Sequence, residues 1–151
     1  MLKKLDKTDA QIIELLKHDG RMPNTEIAKS TGVSEATIRN RLQRLTKNGV
    51  ISIVAVGDPK KLGFSISANI LIRSKSTETR AIAKKLEQIP EIWYLANMAG
   101  FADFNLEVNV KTLEDLDSLL EKINGIEGVE QTYTSVIRKY IRDQYIWWTI
   151  Q

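Results

Sequence analysis

The chain of 151 residues carries 22 Lys plus Arg against 19 Asp plus Glu, one His and no Cys, for a formal net charge of +3. That length supports one ordinary domain or two small ones, and 42% hydrophobic with 27% charged residues is the composition of a folded globular chain. The missing thiols exclude cysteine nucleophiles, disulfides, zinc fingers and Cys-ligated iron–sulfur clusters, and a single His excludes most His-based metal sites, so no metal or cofactor is expected and composition tilts away from much enzyme chemistry without excluding carboxylate or Lys catalysis.

The first helix is signalled by Asp6 as its cap, Asp9 three residues later in capping-box spacing, and Leu5 at the staple position. Ile12, Ile13, Leu15 and Leu16 follow helical spacing, and Gly20 ends the segment. Pro23-Asn24 restarts the chain, with Asn24 as a cap for a short helix that stops at Thr31-Gly32. Ser34 caps a third helix with an apolar stripe of Ile38, Leu42 and Leu45, closed by Asn48-Gly49. Three short helices with Gly in the turn before the third form a helix-turn-helix pattern. Val50 to Val56, VISIVAV, is β-branched and predicts a strand, and Gly57 to Phe64 predicts a linker.

The remainder alternates. Strands are predicted over 66–73, 92–98, 103–110 and 129–138, with helices over 77–88 and 112–124. Ala81, Ile82, Leu86 and Ile89 form the inward side of the earlier helix; Leu113, Leu116, Leu119, Leu120 and Ile123 form that of the later one. The order βαββαβ is the ferredoxin-like arrangement. The tail from Lys139 predicts one more strand-like segment and carries Tyr140, Tyr145, Trp147 and Trp148, either covering a hydrophobic edge or making a subunit contact. The expected class is therefore α+β: a winged-type helix-turn-helix domain over 1–50, a strand and linker over 51–64, and a ferredoxin-like sensing domain over 65–151.

Charge is uneven. Residues 1–50 hold 10 Lys/Arg against 6 Asp/Glu, and the rest holds 12 against 13. A basic helix in a balanced chain is the footprint of a phosphate-backbone binder, and equally of an ordinary solvated face. At about 100 degrees per residue, Thr37, Asn40, Gln43, Arg44 and Lys47 lie opposite Ile38, Leu42 and Leu45, with Arg39 and Arg41 on the two edges. Asn or Gln can pair with adenine and Arg with guanine in the major groove. Arg39 and Arg41 would reach phosphates, and Ser34 and Thr37 would hydrogen-bond the duplex backbone.

The segment from Leu5 to Ile51, with Leu5-Asp6, Asp9, Asp19-Gly20-Arg21, Ile27-Ala28, Ser34, Thr37, Arg41, Leu45 and Gly49-Val50-Ile51, resembles the N-terminal half of the leucine-responsive regulatory protein / asparagine-operon regulator family (Lrp/AsnC). GFADFNLEV (Gly100 to Val108) resembles the G-x-x-D-[FY] segment of that family's small-molecule-sensing domain, and GIEGVEQTYT (Gly125 to Thr134) its later G-V-x-x-T-x-T segment.

The resemblance implies a DNA-binding transcription regulator. Such proteins dimerise chiefly through the C-terminal sheets, often assemble further to tetramers, octamers or larger discs (here a dimer assembling to an octamer is expected), and take an amino acid or related metabolite between dimers. On that reading Gly100 admits a ligand to the backbone and Asp103 offers its carboxylate to an ammonium group. N–H groups near Phe101 and Ala102 hold a carboxylate, Thr132 and Thr134 complete a polar ring, and Asn97 and Met98 lead into the loop. Read without the resemblance, residues 100–103 are a hairpin turn. Three alternatives stay open: an architectural DNA-wrapping protein without effector, an enzyme like the sirohaem decarboxylases, which share a similar two-domain plan, and a metabolite-binding hub whose N-terminal helices serve only as a docking surface. No apolar run reaches the ~20 residues that cross a bilayer. MLKKLDKTD lacks a signal-peptide core, so a cytoplasmic location is expected.

Overall fold

The structure, a computed structural model, describes residues 5–75 and 77–141. The chain divides into two compact units between Val56 and Gly57.

The first unit holds α1 (Lys7–His18), α2 (Asn24–Thr31) and α3 (Glu35–Lys47). Asp6 caps α1 in a reciprocal box: its carboxylate accepts from the Asp9 N–H at 2.9 Å, and Asp9 accepts from the Asp6 N–H. The cap of α2 is Pro23, one residue earlier than expected, and it makes no side-chain bond; Asn24 is the first helical residue. Gly32 ends α2 at φ 74°, a left-handed conformation that costs glycine least. Ser34 then caps α3 by accepting from the Thr37 N–H. Ile12, Ile13, Ile27, Ile38 and Leu45 are buried together, and Leu42, Val50 and Ile51 pack against them. Each such burial contributes roughly 1.5–3 kcal/mol, which is how helices this short hold their shape.

Among the described residues, the strand expected over residues 50–56 is not formed. Val50 and Ile51 are drawn into the helical core, while Ile53, Val54 and Val56 are exposed. A strand needs a ladder partner, and β-branching alone supplies none.

The second unit is a four-stranded antiparallel sheet in the order β2-β3-β1-β4, formed by β1 (Ile66–Ser74), β2 (Ile92–Asn97), β3 (Phe104–Val110) and β4 (Val129–Val136). Two helices, α4 (Thr79–Leu86) and α5 (Leu113–Asn124), complete the βαββαβ order of a ferredoxin-like domain. Ala68, Ile70, Ile72, Phe104, Leu106 and Val108 from the sheet are buried with Ile82, Leu86, Leu116, Leu119 and Ile123 from the helices. Two expected core positions are corrected. Ala81 is exposed and Ala83 takes its place, because Ile82, Leu86 and Ile89 set the stripe and Ala81 lies outside it. Leu113, in the first turn of α5, is 57% exposed. Lys139 to Ile141 form no strand, and Tyr145, Trp147 and Trp148 lie outside the described residues.

The other face of the sheet carries no helix-side residues. Opposed residues of an antiparallel pair share a face, so Ser67, Asn69 and Leu71 of β1 share it with Asn105, Glu107 and Asn109 of β3 and with Tyr133 and Ser135 of β4. Polar ladders run across it: Ser67 Oγ donates to Asn109 Oδ1 at 2.7 Å, and Asn69 donates to Asn105.

Candidate nucleic-acid interface and effector loop

The outer side of α3 presents Arg39, Asn40, Gln43 and Lys47, all exposed. The side-chain amides of Asn40 and Gln43 make no hydrogen bond among the described residues, which leaves them open to solvent. Arg39 is held by Glu35 one turn earlier, Nη2 to Oε1 at 2.9 Å. Exposed pairs of this kind contribute little and are easily exchanged for another anion.

Four expected contact residues besides Arg39 are also engaged inside the unit. Ser34 and Thr37 share a hydroxyl–hydroxyl bond of 2.8 Å as part of the cap, so Ser34 serves the helix first. Arg41 and Arg44 turn towards α1. Arg41 Nη1 lies 2.8 and 2.7 Å from the two Asp6 oxygens and 2.8 Å from Asp9 Oδ1. Arg44 Nη2 lies 2.5 Å from Asp9 Oδ2. Asp9 is 1% exposed, and Arg44, placed on the outer side by helical angle, is only half-exposed. The helical wheel tracks Cβ directions; the guanidinium reaches several ångströms further and finds the buried carboxylate. The Arg41 guanidinium holds the Asp6 carboxyl below its ordinary value of 3.8. Asp6 and Arg41 belong to the site, and only the capping role of Asp6 was visible in the sequence.

In the second unit, residues 98–103 join β2 to β3. Gly100 sits at φ 144°, where L side chains are strained. Phe101 is 67% exposed and its ring lies 5.1 Å from that of Tyr133. Ala102 is buried, and Met98 and Asn97 are at the surface. Asp103 Oδ2 accepts from the Ser74 N–H at 2.6 Å and from Ser74 Oγ. The Asp103 carbonyl accepts from the Met98 N–H and from Asn97 Nδ2, and its N–H donates to Ile72. Asp103 Oδ2 therefore ties the loop to the end of β1 rather than standing open for an ammonium group.

The two Thr residues are not brought to the loop's aromatic side. Thr132 and Thr134 pair with Ile72 and Ile70, which face the helices, whereas Tyr133 beneath Phe101 faces the other way. Thr132 Oγ1 donates to Asn124 at the end of α5. Tyr133 and Ser74 are the loop partners missed in the sequence; an aromatic between the two Thr was the available signal. A groove of about 400 Å³ lies at the opposite end of the sheet, between Phe64, Glu91, Lys111 and α5.

A three-helix unit with an amide-bearing outer helix, joined to a βαββαβ unit with a glycine loop, defines a helix-turn-helix protein with a sensing domain. Residues 5–46 match the AsnC-type helix-turn-helix domain, and residues 67–146 match the Lrp/AsnC ligand binding domain. The chain belongs to the Lrp/AsnC family and is a DNA-binding transcription regulator. The HTH-type transcriptional regulator FL11 of Pyrococcus furiosus is 40% identical over 136 residues, covering 89% of this chain and 90% of the relative. AldR of Mycobacterium tuberculosis is 33% identical over 146 residues, covering 91% and 80%. The structure is similar to that of Escherichia coli AsnC, with a TM-score of 0.84 and 26% identity over 95% of this chain and 99% of the other. It shares its fold, at a TM-score of 0.83 and 23% identity over 94% and 95% of the two chains, with the Neisseria meningitidis regulator NMB0573 in complex with L-Met. Among the described residues no helix is long and apolar enough to cross a membrane.

Proposed function

We propose that this chain is a sequence-specific regulator, working in the cytoplasm as a homo-oligomer, whose assembly or DNA affinity responds to an amino acid or related metabolite. Asn40 and Gln43 read base edges, while Arg39 and Lys47 contact phosphates. The helix-free face of the sheet, with Leu71 and Tyr133 among its polar ladders, receives a second copy of the chain. The effector sits against the β2–β3 loop between dimers, with Gly100 allowing close approach and Phe101 on Tyr133 forming an apolar wall. Asp103 acts as the loop's clamp.

The observation that carries this reading is the conjunction of exposed, unengaged amides on α3 with a glycine-strained, aromatic loop on the second unit. The L-Met complex of the Neisseria protein supports an amino acid as ligand class. The relatives are transcription regulators, and the single His is exposed in the last turn of α1 beside Glu14, so we assign no catalytic role.

A thermal-shift screen against the twenty amino acids tests the effector. A ligand that binds the native form at 100 times its Kd stabilises it by about 2.7 kcal/mol. At least one hit is expected, lost in Phe101→Ala while that variant keeps its DNA binding. A complete blank favours the architectural reading, which the internal engagement of Asp103 also supports; uniform rather than discrete protection in footprinting then decides for it.

A further inference from the structure

The four charges between α1 and α3 do not play equal parts. Asp9 is 1% exposed and binds both Arg41 and Arg44, so it anchors the cluster. Asp6 is 52% exposed and binds Arg41 alone, from the solvent side. The side-chain hydrogen bonds of Arg41 among the described residues all fall on Nη1. Among the described residues Nη2 and Nε carry none, and the side chain is 24% exposed. Arg41 thus has a fixed grip on the protein through Asp9 and unused donors beside a solvent-facing carboxylate.

We propose that Asp6 sets the DNA affinity of α3 by competing with a duplex phosphate for Arg41. The inference rests on α3 being the DNA-facing helix. In the free protein the Asp6 carboxylate cancels the Arg41 charge. A phosphate arriving at α3 meets Arg41 with its donors open but its field reduced, and it also meets the repulsion of Asp6. The carboxylate thereby holds down the sequence-independent part of binding, which comes from phosphate contacts. Reading by Asn40 and Gln43 then counts for a larger share of the total. Arg39 is partnered in the same manner by Glu35, so two cations of one helix each carry an anion that DNA must displace.

Asp6→Asn tests this, because Asn caps a helix as well as Asp does and only the charge is removed; Asp6→Ser is the second capping variant should the first be poorly folded. Binding to a 30-base-pair duplex of arbitrary sequence is measured from 50 mM salt upwards, with folding followed by circular dichroism. The wild-type titration alone tests whether the chain binds duplex in a salt-dependent way; the variant tests Asp6. The expected result is a plot of log K against log salt steeper by about 0.9, one phosphate contact, and roughly tenfold tighter binding at the lowest salt. The gain must vanish when Arg41→Gln is added, because it acts through that residue. An unchanged slope, a gain that persists with Arg41→Gln, or a folded Asp6→Asn protein that binds more weakly overturns the proposal.

Discussion

Asp6 and Asp9 lie three residues apart at the start of α1, as its N-cap and in its first turn. The Arg41 guanidinium, hydrogen-bonded to both Asp6 oxygens, holds that carboxyl below 3.8, with the Asp9 N–H adding to the effect. A carboxyl with a depressed folded value stabilises the fold above its unfolded value and loses that contribution as pH falls through the lower, folded one. The contribution of Asp6 is therefore complete at neutral pH and disappears only below about 4. Urea unfolding of wild type and Asp6→Asn is expected to show a stability difference at pH 7 that shrinks as the pH drops below 4. A difference that stays constant down to pH 2 contradicts the role of the ion pair. The residue scale is also where the sequence was least legible. Asp6 and Asp9 could be read as a capping box because caps are local, i to i+3. Their bonds to Arg41 and Arg44 span more than thirty residues and depend on how α1 and α3 cross, which spacing does not encode.

The helices and the sheet were legible wherever burial enforces a period. The stripe of Ile38, Leu42 and Leu45 defined α3, and FNLEVNV defined β3 with its alternating burial. Ile38 is fully buried between Ile12, Ile27 and Leu45. Truncation to Ala is expected to cost about 2–5 kcal/mol, read as a lowered urea midpoint, and to loosen α3 before the second unit melts. A loss below 1 kcal/mol contradicts the packing described here. Legibility failed where an element's fate depends on a partner. Residues 50–56 have the composition of a strand, yet among the described residues Ile53, Val54 and Val56 find no ladder and stay exposed. The strands 66–74 and 129–136 succeed because each is the other's neighbour. Thr132 and Thr134 were correctly placed on one face, but which face they share was fixed by register with Ile72 and Ile70.

At the scale of the whole molecule, two units divide the labour, one presenting an amide-bearing helix and the other a loop and an open sheet face. If α3 reads base edges and the protein acts as a homo-oligomer, its preferred sites must repeat with the symmetry of the assembly. The two-part organisation was visible early because charge, helical spacing and βαββαβ order are properties of the chain alone; the assembly is a property of several copies. Selection of bound duplexes from a random-sequence pool, repeated with Asn40→Ala, tests whether α3 reads base edges. Enrichment of a two-fold repeated motif is expected, and for Asn40→Ala a preference relaxed at one position of each half-site by about 1–3 kcal/mol with overall retention kept. A pool that emerges unenriched although the protein retains DNA, or a motif unchanged by Asn40→Ala and Gln43→Ala alike, contradicts base reading by α3.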